Sequence, residues 1–314
     1  MRAIIVKTPG GPDALEEADV PEPVPGPGQV RIRVAAAAVN PVDAAVRAGT
    51  LAAAGLMSFD ARPAFGIGMD VAGTIDAIGA GVTGRTPGDQ VIGLQDRLDV
   101  PHAGYAEKIV LDASAVARAP RSASPAEAAT LPLNGLTALQ ALDLLDLPPG
   151  ATLLVTGAAG AVGGYAVELA AHRGLRVVAS AAATDEALVR GFGAEMFVPR
   201  DVHLADAVRA LVPGGVDGAV DTALLAAAAL DAVRGGGTFA AVNGGPAIPV
   251  PLRGISVRNA WIRADAAQLA ALVDLADERR LTLRVADTLP LAEARKAHTR
   301  LESGGLRGRL VLIP

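Results

Sequence analysis

The chain has 314 residues, 51% of them hydrophobic and 19% charged, with a formal net charge of −5 at pH 7. That balance fits a globular protein of about two domains and excludes a disordered one, and the negative charge gives no electrostatic reason to expect nucleic acid or an anionic membrane surface as a partner. There is no cysteine, so disulfides, thiolate catalysis and thiolate zinc sites are excluded.

In chain order, residues 1–7 read as a short strand whose apolar run is too brief for a secretory signal. From there to about residue 122 the chain is β-rich. Strands are predicted over Gln29 to Val39, Val71 to Ile78, Gln90 to Leu94 and Tyr105 to Val110. Turn signals separate them at Pro25-Gly26-Pro27-Gly28, Gly79-Ala80-Gly81 and Thr86-Pro87-Gly88-Asp89. This pattern predicts a compact, barrel-like domain.

At about residue 123 the pattern changes. Ser124-Pro125-Ala126-Glu127 reads as a helix start, with a serine cap, proline at the first helical position and glutamate three residues after the cap. A second helix is expected over Leu136 to Leu145. Then the apolar run Thr152 to Thr156 enters a loop with glycines at 157, 160 and 163. A helix over Gly164 to Arg173 and a strand over Arg176 to Ser180 complete a βαβ unit. Its glycines sit at the strand-to-helix turn, where backbone N–H groups at a helix N-terminus can hold a pyrophosphate. The candidate contacts are Gly157, Ala159, Gly160, Ala161, Val162 and Gly163; the competing reading is a tight βα turn that binds nothing.

Alternation continues with a helix from Thr184, as cap, to Phe192, a strand Glu195 to Val198, a helix Leu204 to Leu211 stopped by Pro213, a strand Val216 to Asp221, a helix Leu224 to Val233 and a strand Gly237 to Val242. Such alternation predicts a doubly wound parallel sheet. Beyond residue 255 it weakens: a helix over Ala266 to Arg279, a strand over Leu281 to Thr288, a helix over Leu291 to Glu302 and a strand over Gly308 to Ile313 are expected to return to the first domain. The expected division is therefore 1–122 with 256–314 as one domain and 123–255 as the other. Residues 147–167 carry no charge, but their prolines and glycines and their overlap with the nucleotide turn argue against a membrane span. A cytoplasmic location with no membrane partner is expected.

Several pieces follow one another in a recognisable order: Asn40-Pro41-Val42-Asp43 with Arg47-x-Gly49, Gly68-Met69-Asp70-Val71-Ala72-Gly73, Gly88-Asp89-Gln90-Val91, Gly104-Tyr105-Ala106-Glu107, Gly135-Leu136-Thr137-Ala138, the Gly157 to Gly163 loop, and Gly305-Leu306-Arg307-Gly308-Arg309-Leu310-Val311-Leu312. On these the chain resembles, end to end, the medium-chain dehydrogenase/reductase superfamily, and within it the zinc-free quinone oxidoreductase branch. The resemblance implies an α/β fold, a GroES-like β-barrel domain plus a Rossmann doubly wound parallel-sheet domain. It also implies hydride transfer from a nicotinamide cofactor to a small hydrophobic quinone or α,β-unsaturated ketone. Zinc-dependent relatives place Gly-His-Glu where this chain has Gly68-Met69-Asp70, and they need a cysteine ligand. No metal is expected, and Asp70 alone cannot hold one. Without a Lewis acid, simple alcohol dehydrogenation is not expected, whereas hydride transfer to an already polarised acceptor is.

NADPH is favoured over NADH. The second βαβ strand runs out through Val178-Ala179-Ser180-Ala181-Ala182-Ala183 with no acid before Asp185, and an NAD site places one at that strand end. Ser180 can donate to a 2′-phosphate, and Arg200 supports the same reading; an inward-pointing Asp185 would argue against it, and Asp185 is read instead as a first-turn helix acid. Val242 and Asn243, at the end of their strand, are candidates for the carboxamide or ribose; a plain Asn-Gly turn competes.

By resemblance, Asn40 and Thr137 reach the nicotinamide and substrate; a turn residue before Pro41 and a helix-end hydroxyl are the competing readings. Leu51, Leu56, Met57, Phe59 and Phe65 would line an apolar substrate loop, with core packing as the alternative. Where several enone reductases of the superfamily carry an acidic tyrosine, this chain has Thr50-Leu51. Tyr105 and Tyr165 read as structural, so water is expected to complete protonation. Two further readings stay open: a biosynthetic tailoring reductase or cyclase using bound NADPH, and a non-catalytic NADPH-binding sensor. Edge-to-edge joining of the parallel sheets near Trp261 would make a homodimer.

Overall fold

The computed structural model describes residues 1–58, 62–98, 100–242 and 248–314; the candidate residues Phe59 and Asn243 lie outside these. The chain forms two compact units: Met1–Leu133 with Arg263–Glu278 and Leu283–Pro314, and Asn134–Ile262 with Arg279–Thr282.

The first unit opens with β1 (Arg2–Val6) and β2 (Leu15–Asp19), paired antiparallel, and the long β3 (Gln29–Val39). After β3 the chain turns at Asn40 into α1 (Pro41–Arg47) and α2 (Thr50–Ala53), followed by β4 (Phe65–Gly66). Then come β5 (Asp70–Ile78), β6 (Gln90–Leu94), β7 (Lys108–Asp112), β8 (Val116–Arg118) and α3 (Pro125–Ala128). α3 begins on the expected capping box: the Ser124 hydroxyl accepts from the Glu127 N–H at 3.3 Å, and the Ser124 N–H donates to Glu127 Oε2 at 2.8 Å.

The second unit takes up α4 (Pro132–Leu145), β9 (Thr152–Thr156), α5 (Ala161–His172), β10 (Arg176–Ala181), α6 (Glu186–Gly191), β11 (Met196–Pro199), α7 (Leu204–Leu211), β12 (Val216–Asp221), α8 (Ala227–Asp231), β13 (Val233–Ala241) and β14 (Ser256–Asn259). Its six strands run in the order β11-β10-β9-β12-β13-β14, every neighbouring pair parallel. The order reverses direction at β9, so the carboxyl ends of β9, β10 and β12 border one crevice. Every residue of β9 is buried, the continuous apolar pattern of a parallel strand covered on both faces.

The chain then re-enters the first unit through α9 (Ala266–Asp277), β15 (Val285–Pro290), α10 (Ala294–Ser303) and β16 (Arg309–Ile313). Here β15-β16-β3-β5-β6-β8 form one sheet, with β7 also on β3, and β2-β1-β4 a second. β3 alternates in its first half, with Val30, Ile32 and Val34 inward, and is buried throughout Ala36–Val39, where small side chains let β5 and β16 close on it.

Where the structure departs from the sequence pattern, local chemistry explains it. Tyr105 precedes its strand and is gripped by the backbone of Ile67 and Ile4. The helix expected from Thr184 is a 3₁₀ turn, Ala183–Asp185, followed by α6 with Asp185 and not Thr184 as its N-cap. α4 starts at Pro132, four residues before Leu136. The helix expected over Leu224 to Val233 shrinks to Ala227–Asp231, because Leu224 and Ala226 have positive φ (59° and 51°) and Val233 already pairs with Val216. β14 pairs with β13 beyond residue 255, so the parallel sheet takes in residues that the sequence pattern left to the other domain.

Candidate functional site

The glycine loop is built by close approach. Gly157 has φ +60°, and a Cβ there would lie 2.7 Å from Thr222 Oγ1. A Cβ on Gly163 would lie 2.2 Å from the Gly157 carbonyl oxygen, so the first turn of α5 packs directly on the loop. The Gly160 N–H donates to that same carbonyl at 2.8 Å, and Gly160 is the N-cap of α5, with no side chain capping the helix. The first N–H groups of a helix have no intrahelical partner, so this end offers donors and a positive dipole end at the carboxyl edge of the sheet. Ala159 and Gly163 are buried, while Ala161 and Val162 are half-buried.

The next two strand ends place Ser180 and Arg200 at the same edge of the sheet. Ser180 is buried, and its carbonyl accepts from the Ala158 N–H at 3.0 Å, tying the strand end to the glycine loop. Ala181 pairs with Pro199, and the Arg200 N–H donates to the Ala181 carbonyl at 2.8 Å. The Arg200 side chain is exposed at the same edge. Asp185 is buried as the α6 N-cap. Val242 follows β13 and is half-buried.

In the first unit Asn40 belongs to a buried polar network that sequence reasoning did not find. Its side-chain amide donates to Asp70 Oδ2 at 2.8 Å, and its backbone N–H to Asp43 Oδ2 at 2.8 Å. The other Asp70 oxygen accepts from the Leu133 N–H at 2.6 Å. The Tyr105 hydroxyl, fully buried, donates to Asp43 Oδ2 at 3.0 Å and lies 3.3 Å from His298 Nε2. Arg47, 2% exposed, sits 3.0 Å from His298 Nδ1 and also pairs with Glu302. A guanidinium can only donate, so Nδ1 accepts and Nε2 carries the proton toward the phenol. Burial pushes the carboxyls of Asp43 and Asp70 up to about 7, against the hydrogen bonds they accept. Burial, and then the Arg47 charge, push His298 down to about 3. Burial also holds the Tyr105 phenol well above its ordinary range, with Asp43 adding to the effect. The network holds Asn40 by its side-chain amide on Asp70 and by its backbone N–H on Asp43.

The remaining candidates lie on different elements. Thr137 lies on α4, buried, in the second turn and not at the helix start. Leu51 on α2 and Met57 are partly buried against the core of the first unit, and Leu56 is exposed. Phe65 is 4% exposed in β4, paired with Val6, and its ring is part of that core.

The chain thus carries a GroES-like unit and a parallel-sheet unit with a glycine-lined βα turn. Residues 26–121 match the alcohol dehydrogenase GroES-like domain, and residues 192–312 match the zinc-binding dehydrogenase family. The chain is 35% identical over 192 residues to a chloroplast envelope quinone oxidoreductase homolog of Arabidopsis thaliana, covering 59% of this chain and 56% of that one. It is 33% identical over 269 residues to the trans-enoyl reductase thnE of Trichoderma harzianum, covering 77% and 69%. The chain thus spans little more than half to two thirds of these relatives' lengths. Among solved structures, an NAD-dependent alcohol dehydrogenase superposes with a TM-score of 0.89 at 31% identity, and a mycobacterial protein complexed with NADPH with 0.84 at 29%; both comparisons cover the whole of each chain. The chain belongs to the medium-chain dehydrogenase/reductase superfamily.

Proposed function

We propose that the protein is a zinc-independent, NADPH-dependent reductase that delivers hydride to a quinone or an α,β-unsaturated ketone. The observation that carries this reading is the glycine cradle at α5 next to Ser180 and Arg200, with no acid at the end of β10. The cradle fits a dinucleotide: it presents backbone donors where a side chain cannot fit. The Ser180 hydroxyl and the Arg200 guanidinium would hold a 2′-phosphate. In this reading Val242 and Asn243 are the candidates for the nicotinamide end, Asn40 and Thr137 those for the acceptor's polar group, and Leu51 and Met57 those for its apolar part. NADPH, when bound, supplies the hydride. The likeness to a quinone oxidoreductase homolog and a trans-enoyl reductase supports a conjugated, polarised acceptor.

The donor set does not fit zinc. Cysteine is absent from the sequence, Met69 stands beside Asp70, and both Asp70 oxygens already accept hydrogen bonds. Among the described residues no group of three potential ligands could hold a metal ion. An open catalytic zinc site uses three protein ligands.

Following NADPH and NADH oxidation with a panel of quinones and enones tests the reading. Turnover with NADPH is expected; tight NADPH binding without turnover on any acceptor would shift the assignment to a sensor or tailoring enzyme. Arg200→Ala is expected to weaken NADPH binding by about 10–100-fold, the worth of a charge-assisted hydrogen bond, and to leave NADH affinity unchanged. Equal losses for both nucleotides would place the guanidinium elsewhere. Tyr105 donates inward and has no part in proton delivery. Tyr105→Phe should therefore lower stability by roughly 1–3 kcal/mol, by removing one of the two donors to Asp43 Oδ2, with kcat little changed; loss of turnover with intact nucleotide binding would show the phenol to be the acid.

We also infer a cytoplasmic homodimer. β14 ends the strand order, and Val250, Leu252 and Trp261 close by are 72%, 55% and 56% exposed. No described helix is long and apolar enough to cross a membrane. Light scattering on the eluted protein should give twice the chain mass; a clean monomer would refute the dimer.

A further inference from the structure

The loop after β12 is held in a conformation its residues disfavour. Leu224 has φ 59°, and Ala226 has φ 51° with ψ −110°, a region that glycine populates and side chains avoid. Burial does not offset the strain, since Leu224 and Leu225 are 45% and 40% exposed. What holds the loop is Asp221, 1% exposed at the end of β12. Its Oδ1 accepts from the Leu225 N–H at 3.2 Å and its Oδ2 from the Ala226 N–H at 2.8 Å.

The same carboxylate reaches the glycine loop. Oδ1 also accepts from the Thr156 hydroxyl at 2.6 Å, and Thr156 Oγ1 in turn accepts from the Ala223 N–H at 3.1 Å. The Thr222 hydroxyl donates to the Thr156 carbonyl at 2.6 Å. Thr156 immediately precedes Gly157, and Thr222 Oγ1 and Ala223 Cβ are the atoms that a Gly157 side chain would strike. Residues 222–226 are therefore the wall on which the glycine loop seats. Strain of this kind persists where surrounding contacts over-determine it, and it concentrates at ligand clamps.

We propose that Asp221 is a positioning residue for the nucleotide. With Thr156 it clamps the Gly157 loop against a strained turn, so that the amides meant for the pyrophosphate are set before binding. This rests on the nucleotide reading of the loop. Asp221 acts through Thr156 and the 222–226 backbone.

A strained clamp differs from an ordinary structural tie in the sign of one effect. Ala226→Gly relieves the strain, so it stabilises the fold while slackening the wall. Asp221→Asn places an amide donor against either the Leu225 or the Ala226 N–H, whichever way it turns, and so destabilises. The experiment uses the full chain: thermal unfolding, calorimetric NADPH titration, and kcat and KM for NADPH with a quinone acceptor. Ala226→Gly is expected to raise Tm by about 2–5 °C. It should also raise Kd and KM for NADPH about tenfold at unchanged kcat, because pre-organisation is lost and the chemistry is not. Asp221→Asn should lower Tm and weaken NADPH by about tenfold or more. An unchanged Kd in a stabilised Ala226→Gly protein overturns the clamp alone, as does a lowered Tm in that variant. Wild-type protein that binds neither NADPH nor NADH overturns the nucleotide reading and the clamp with it.

Discussion

Gly163→Val is expected to abolish nucleotide binding, raising Kd for NADPH by at least about 100-fold, because misplaced donors forfeit most of what pre-organisation contributes. The reason is steric and local. A Cβ at this position lies 2.2 Å from the Gly157 oxygen, 2.8 Å from its carbon and 2.9 Å from the Ala158 Cα. All three are backbone atoms, so no rotamer change can relieve the clash. α5 cannot retreat either, since Tyr165, Val167 and Leu169 are buried along it. The glycine loop must move, and its N–H groups with it. Gly160→Ala is the internal control: its Cβ would meet the Gly157 oxygen at 3.1 Å, a contact relieved by a few tenths of an ångström. That variant should keep most of its affinity. Calorimetric titration of both, with circular dichroism to confirm a folded parallel sheet, checks the pair. Normal NADPH binding by folded Gly163→Val would remove the loop from the site.

Both the strength and the limit of sequence reading are visible around this loop. β3, β6, α7 and β12 begin and end where the hydrophobic period and the turn residues place them, because there local preference and tertiary packing agree. The capping box at Ser124 is legible for the same reason: both of its partners lie within four residues. The helix expected from Leu224 failed because an apolar run carries no sign that the Asp221 carboxylate will capture the Leu225 and Ala226 N–H groups and hold the chain out of helical geometry. The network around Asn40 was harder still. Asn40, Asp43 and Arg47 share a stretch that advertises a turn before proline, but Tyr105 and His298 come from 62 and 251 residues away from their partners Asp43 and Arg47. Only the fold brings these groups together, and no periodicity encodes it. Arg47-x-Gly49 stands out in the sequence as a motif, yet its arginine turns inward to His298. Phe65, read as a substrate residue, lies in a two-residue strand too short to leave a pattern.

Asp43→Asn should change the pH dependence of stability strongly. Burial raises the Asp43 carboxyl to about 7 in the folded chain, from an ordinary value of 3.8. A group with a raised folded pKa contributes stability that is fully present below the unfolded pKa and is lost as pH rises through the folded one. The wild-type chain therefore loses this contribution between about pH 4 and pH 7. The loss is on the order of 4 kcal/mol at about 1.4 kcal/mol per pKa unit. His298 works in the opposite direction. Its pKa is lowered to about 3, so its contribution is present above about pH 6.5 and fades as pH falls. The asparagine keeps the geometry. Its oxygen can take the place of Oδ2, accepting from Tyr105 and from the Asn40 N–H. The variant should be the less stable protein at pH 4 and should close or reverse that gap by pH 7.5. Asp70 retains its own raised carboxyl and leaves a residual slope in both proteins. Denaturant unfolding at half-unit pH steps resolves the two curves. Parallel profiles from pH 4 to pH 7.5 would mean that Asp43 is ionised throughout and that the network holds a charge where burial calls for a proton.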